Sequence, residues 1–165
     1  MDLLLIRHSI AEPAPLGGQD AHRPLAEEGR ALFAAAVDGL GRLDLRLDVI
    51  LHSPLLRAVQ TADLLGPIHQ GERSETVLLA RPPGLDLLDA LLQASFSGET
   101  VAAVGHQPHI SGLCSLLLTG DEHYGGQLSF SPGTVAWLRG RPRPAQMVLV
   151  GLYPAEALAG LGGVT

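Results

Sequence analysis

Leu3-Leu4-Leu5-Ile6-Arg7-His8 is the stretch from which the architecture follows. Four consecutive apolar residues, with no polar side, suit a strand covered on both faces, and such strands belong to parallel sheets. The run breaks at Arg7 and His8, so this strand delivers two basic side chains to its carboxyl end. Downstream, Leu25, Leu32, Phe33, Ala36, Val37 and Leu40 recur at helical spacing, predicting a helix over 25–40 with Glu27 and Glu28 where the helix dipole favours them. A second buried strand is expected over 47–51. Ser53 then reads as an N-cap and Pro54 as the first residue of a helix over 54–65. Further expectations are a weak strand over 76–79, a helix over 85–96, a buried strand over 101–104, and a helix from Pro108 to Leu118. Strands over 134–138 and 147–152 are joined by the Gly140-Arg141-Pro142-Arg143-Pro144 turn. Residues 9–24, with Pro13, Pro15, Gly17, Gly18 and Pro24, read as an irregular loop able to fold over a site.

Strands alternating with helices imply an α/β protein, a three-layer αβα sandwich around a mostly parallel sheet. Such sheets place their sites beyond the carboxyl ends of their strands, where Arg7, His8 and His106 fall. One domain is expected over 1–157, with a small, glycine-rich flexible tail over 158–165.

Composition narrows the classes of function. Seventeen acidic against eleven basic residues give a net charge of −6, the wrong sign for a broad nucleic-acid or anionic-membrane surface. The single cysteine, Cys114, permits no intramolecular disulfide and no multi-cysteine metal site. The four apolar residues before Arg7 are too few for a signal-peptide core, and no apolar run approaches the roughly 20 residues of a membrane span. A cytoplasmic protein is expected.

Three segments carry polar groups where an apolar pattern breaks: Ile6-Arg7-His8-Ser9, Leu51-His52-Ser53-Pro54-Leu55-Leu56-Arg57 and Val104-Gly105-His106-Gln107-Pro108. Taken singly, a histidine after a strand can be structural, an arginine can sit in a surface ion pair, and His106 can cap a helix. Together with Arg23-Pro24-Leu25, Glu28-Gly29 and Ala58-Val59-Gln60-Thr61-Ala62, these blocks resemble the histidine phosphatase superfamily, and within it the SixA-like phosphohistidine phosphatases. The resemblance spans nearly the whole chain and implies a phosphoglycerate mutase-like fold.

The resemblance makes His8 the nucleophile that becomes phosphorylated, a role that requires a neutral ring with one nitrogen free. Arg7 and Arg57 are expected to grip phosphoryl oxygens through fixed guanidinium donors. His106 is expected to add a donor near the positive end of a helix. The resemblance also brings Arg23 toward the phosphate, although an arginine next to Glu27 and Glu28 could be paired with them instead. His22, His52, His69, His109 and His123 match no family position and lack metal-site spacing, so neither a metal nor another cofactor is expected.

Many ester-cleaving members carry a carboxylic general acid after the third strand. Here that region reads Leu79-Ala80-Arg81-Pro82-Pro83-Gly84-Leu85-Asp86, and Asp86 is the nearest candidate acid. Without a strong acid, a phosphohistidine on a partner protein fits better than an ester, because a protonated imidazole leaves more readily than an alkoxide. The expected activity is metal-independent hydrolysis. The alternatives are a phosphatase of a small phosphate ester, such as a sugar or nucleotide phosphate, and a catalytically silent module that binds phosphoproteins.

Overall fold

The structure is a computed structural model that describes residues 1–14 and 19–163. Its six-stranded sheet has the spatial order β3-β2-β4-β1-β5-β6, where β1 is Asp2–Arg7, β2 Leu47–His52, β3 His69–Glu75, β4 Thr100–Gly105, β5 Val135–Gly140 and β6 Met147–Tyr153. The four strands from β3 to β1 pair in parallel, and β5 and β6 close the far edge as the expected antiparallel hairpin.

Both faces of the sheet are covered, as the apolar run at its centre requires. Leu3, Leu5, Val101 and Ala103 point into one core with α3 (Leu85–Ser97) and α4 (His109–Thr119). Leu4, Ile6, Ala102 and Val104 point into the other, with α1 (Glu27–Arg42), α2 (Leu56–Leu64) and α5 (Ala155–Gly162). Leu3 to Ile6 are all 0% exposed, so the period-two alternation of a strand appears here as two buried faces.

Several elements depart from the expectations. Where a strand was expected over 76–79, the chain makes a 3-10 turn, Val77–Ala80, and the third strand precedes it as His69–Glu75. That strand is polar and largely exposed because it lies at the sheet edge, where charged residues discourage further pairing. Ser53 does not cap α2: the N-cap is Leu55, Pro54 lies outside the helix, and the Ser53 hydroxyl accepts a weaker 3.3 Å bond from the Leu55 amide.

The expected flexible tail is instead helix through Gly162. Leu158 is fully buried against α1, a burial worth about 2 kcal/mol. Gly39 makes this docking close, since a Cβ there would lie 2.0 Å from the Leu158 carbonyl oxygen. Val164 and Thr165 lie outside the described residues, as does part of the expected loop, 15–18. The described part of that loop is fastened by an antiparallel bridge between Ala11 and Leu25 and by a 3-10 turn, Asp20–His22. No helix among the described residues is long and apolar enough to cross a membrane.

Candidate active site

Strand register brings the predicted residues together. Arg7 pairs with Gly105 across β1 and β4, and the His8 amide donates to the Gly105 carbonyl at 3.0 Å. His52 pairs with Val104, and the Ser53 amide donates to the Val104 carbonyl at 3.0 Å. The three central strands thus end side by side, and His8, Ser53 and His106 emerge from adjacent positions on their carboxyl edge. The His8 and His106 ring centroids are 5.0 Å apart with the planes tilted by 52°.

The orientation of His8 is fixed by its neighbours. Its Nδ1–H donates to the Ser9 carbonyl at 2.7 Å, which leaves the lone pair on Nε2. Arg57 Nε–H points at that lone pair from 3.2 Å. Thr61 ties the two segments together: its hydroxyl donates to the Arg57 carbonyl at 2.7 Å and accepts from the Ser9 amide at 3.1 Å. Ser9 in turn donates to the Gly29 carbonyl, and a Cβ on Gly29 would come within 2.2 Å of the Ile10 carbonyl oxygen. Only glycine lets α1 sit this close behind the residues that follow the nucleophile candidate.

Arg7 donates through Nη1 to the Phe130 carbonyl at 2.6 Å, while its Nε is buried without a partner. No carboxylate pairs with it among the described residues, and burial lowers its guanidinium below the usual value. His106 Nε2 lies 2.7 Å from the Ser53 hydroxyl, and its Nδ1 is likewise buried without a partner. Among the described residues these are the two buried side-chain polar atoms that lack a hydrogen bond, and both belong to this cluster. Orphaned buried polar groups are costly and need a reason. An anion held by Arg7 and His106 would supply one.

Arg23 reaches the cluster through a residue that sequence reasoning passed over. Asp20 accepts from Arg57 Nη2 at 2.9 Å through its carboxylate and from Arg57 Nη1 at 2.9 Å through its carbonyl. The same carboxylate accepts from Arg23 Nε at 3.0 Å. Arg23 is therefore paired with Asp20 rather than with Glu27 or Glu28. The available signal was the spacing of three between Asp20 and Arg23; nothing local pointed to Arg57. Ser53, read as a cap, was the other omission.

Asp86 joins a different group. It sits in the first turn of α3, pairs with Arg81 and accepts from its neighbour's amide, Leu87, at 2.9 Å. His109 lines a cavity of about 300 Å³ with Pro82, Pro83, Pro108, Glu122 and His123, beginning two residues after His106. No group of three or more potential metal ligands occurs among the described residues.

Electrostatics keep both central rings neutral at physiological pH. Burial, then the fields of Arg57, Arg7 and Arg23, push His8 down to about 4 against the opposing bond to Ser9. Burial, then His8 and Arg57, push His106 down to about 3. In the unfolded chain both rings titrate near 6.5, so below that pH the unfolded state takes up protons that the folded state refuses. Stability is therefore lost as pH falls from about 6.5 toward 4, at up to ~1.4 kcal/mol per pH unit for each ring. The urea midpoint should decline steadily across that window; a midpoint that holds constant contradicts neutral burial of the two rings.

Comparisons with known proteins place the fold and the family. A model of the histidine phosphatase superfamily (branch 1) matches residues 3–79, the span that holds Arg7, His8, Arg23 and Arg57. An uncharacterized protein of Picosynechococcus sp. is 33% identical over 113 residues, 67% of this chain and 68% of that one. The family match places residues 3–79 of this chain in the histidine phosphatase superfamily. In structure it is similar to the protein histidine phosphatase SixA solved with tungstate, with a TM-score of 0.79 at 21% identity over 94% of this chain and 97% of that one. It is also similar to a mycobacterial glucosyl-3-phosphoglycerate phosphatase, with a TM-score of 0.67 at 22% identity over 90% of this chain and 96% of that one. These identities speak to the fold, an α/β sandwich of the phosphoglycerate mutase-like kind.

Proposed function

We propose that this protein is a metal-independent phosphohydrolase that removes phosphate from phosphohistidine on a partner protein, acting through a phosphohistidine of its own on His8. The observation that carries the reading is the pair of orphaned buried atoms, Arg7 Nε and His106 Nδ1, in the cluster where His8 keeps the lone pair of Nε2, with only Arg57 Nε–H facing it.

In the first step the Nε2 lone pair of neutral His8 attacks phosphorus. A new N–P bond forms as the bond to the leaving imidazole breaks, and that imidazole departs neutral because its distal nitrogen carries a proton. Arg7 and Arg57 take the charge of the equatorial oxygens, and His106 adds a donor. Positioning and charge stabilisation are most of what phosphoryl transfer asks of a protein. Water then attacks the phosphorus, the P–N bond to His8 breaks, and inorganic phosphate leaves as the ring regains its lone pair.

The preference for a phosphoramidate rests on the acids near the cluster. Asp86 is committed to Arg81. Slight burial would raise the Asp20 carboxyl, but Arg57 and Arg23 outweigh it and hold the group below its usual value, so it stays ionised and is a poor proton donor. An alkoxide leaving from an ester lacks help here; an imidazole needs less. The reading takes the sheet and all five helices, α5 included, as one phosphatase domain, and the cytosol as its compartment.

Turnover of a phosphohistidine-bearing protein should exceed that of a panel of sugar and nucleotide phosphates when compared by kcat/KM. A strong preference for one small ester would overturn the choice of substrate while leaving the mechanism on His8 in place. Hydrolysis of neither class, with phosphate still bound, would leave a binding module.

A further inference from the structure

Arg57 is surrounded by acceptors that belong to the protein itself. Its Nε faces His8, and its two terminal nitrogens are both taken by Asp20, one by the carboxylate and one by the carbonyl. Arg23 holds the same carboxylate from the other side. A fork that grips a phosphoryl group needs a second nitrogen beside Nε, and the nitrogen available for it is the one that Asp20 occupies. The side chains differ in exposure as well: Asp20 is 55% exposed on a short 3-10 turn, whereas Arg57 is 7% exposed. Of the two partners, Asp20 is the one that can swing away.

We propose that Asp20 is a specificity-determining residue, an internal anion seated on Arg57 and Arg23 that an incoming ligand must displace, and that it admits the tetrahedral dianion while turning away monoanionic carboxylates. The inference rests on the phosphoryl-binding reading of the site. A carboxylate tethered to the same chain competes at a high effective concentration, so a dilute carboxylate offering the same two oxygens gains nothing by replacing it. A phosphoryl group brings up to two charges and three acceptor oxygens. With Asp20 seated, Arg7 Nε and His106 Nδ1 stay without partners. A tetrahedral oxyanion can satisfy them in addition to Arg57, which a planar carboxylate held at Arg57 does not do.

The alternative role, in which Asp20 merely braces Arg57 in its working position, predicts the opposite sign. Inorganic phosphate binding is measured by calorimetry on the full chain as wild type, Asp20→Asn, Asp20→Ala and Arg57→Ala, with and without acetate. The expected result is phosphate affinity raised roughly three- to tenfold in both Asp20 variants, the scale of one competing ion pair. Acetate should compete with phosphate in those variants and not in wild type. Affinity that is unchanged or weaker in the Asp20 variants, or acetate competition equal in all of them, overturns the proposal while phosphate binding by wild type and its loss in Arg57→Ala keep the site reading. Absence of phosphate binding from wild type and variants alike removes the site reading, and the proposal with it.

Discussion

His8→Ala is expected to lower the turnover of any phosphorylated substrate by at least ~10³-fold while leaving phosphate affinity within a few fold of wild type. The loss is large because the displacement has no second nucleophile. The other ring in the cluster, His106, has Nε2 engaged with Ser53. The retained affinity follows from the anion being held by Arg7, Arg57 and His106, none of which the substitution removes. Binding survives because the nucleophile forms its bond only as the reaction proceeds. Rapid-quench trapping of an acid-labile phosphoenzyme should detect the adduct in wild type and none in the variant. Hydrolysis at the wild-type rate in His8→Ala would remove this histidine from the mechanism.

Arg57→Ala is expected to reduce both quantities together. Removing one preorganised donor from a transition-state oxyanion typically costs ~10²- to 10³-fold in rate. Here the same side chain also contributes to ground-state binding, so kcat/KM and phosphate affinity should both fall. Arg57→Lys should restore little. A single ammonium cannot reach His8 Nε2 and the oxygens beyond it at once, whereas the guanidinium spans both. Arg57 is buried, with three of its nitrogens engaged, so thermal unfolding of the variant separates lost chemistry from lost structure. Full activity in a folded Arg57→Ala protein would contradict its placement on the phosphoryl group.

What could be read from sequence was set by how much each residue depends on its local neighbours. Leu3 to Ile6 announce a two-sided strand because burial on both faces leaves no polar position, and β1, β2 and β4 were found on that ground. Arg7, His8 and His106 follow from the same logic, as the polar groups that end those strands. β3 was missed because Gln70, Gly71, Glu72, Arg73, Ser74 and Glu75 look like loop; the strand exists through its pairing with β2, a partner distant in sequence. The second half of α5 reads as a tail in the sequence because alanine and glycine carry little apolar signal, and its docking depends on the absent side chain of Gly39. Asp20 was invisible for a related reason. Its spacing to Arg23 is local, but its bond to Arg57 joins residues 37 apart across a loop closure that no periodicity encodes.

Because β1 and β4 end level with one another and β2 one residue earlier, the placement of the two imidazoles is a matter of counting residues rather than of which apolar side chains fill the layers behind them. Leucine, valine, alanine and isoleucine can be exchanged over generations with the strand ends left in place, which accords with a backbone TM-score of 0.79 surviving at 21% identity. Inserting or deleting a single residue ahead of Arg7 is another matter: it would carry the guanidinium to the opposite side of the sheet and His8 out of step with His106. Evolutionary drift in this family should therefore be generous with composition and strict with strand length.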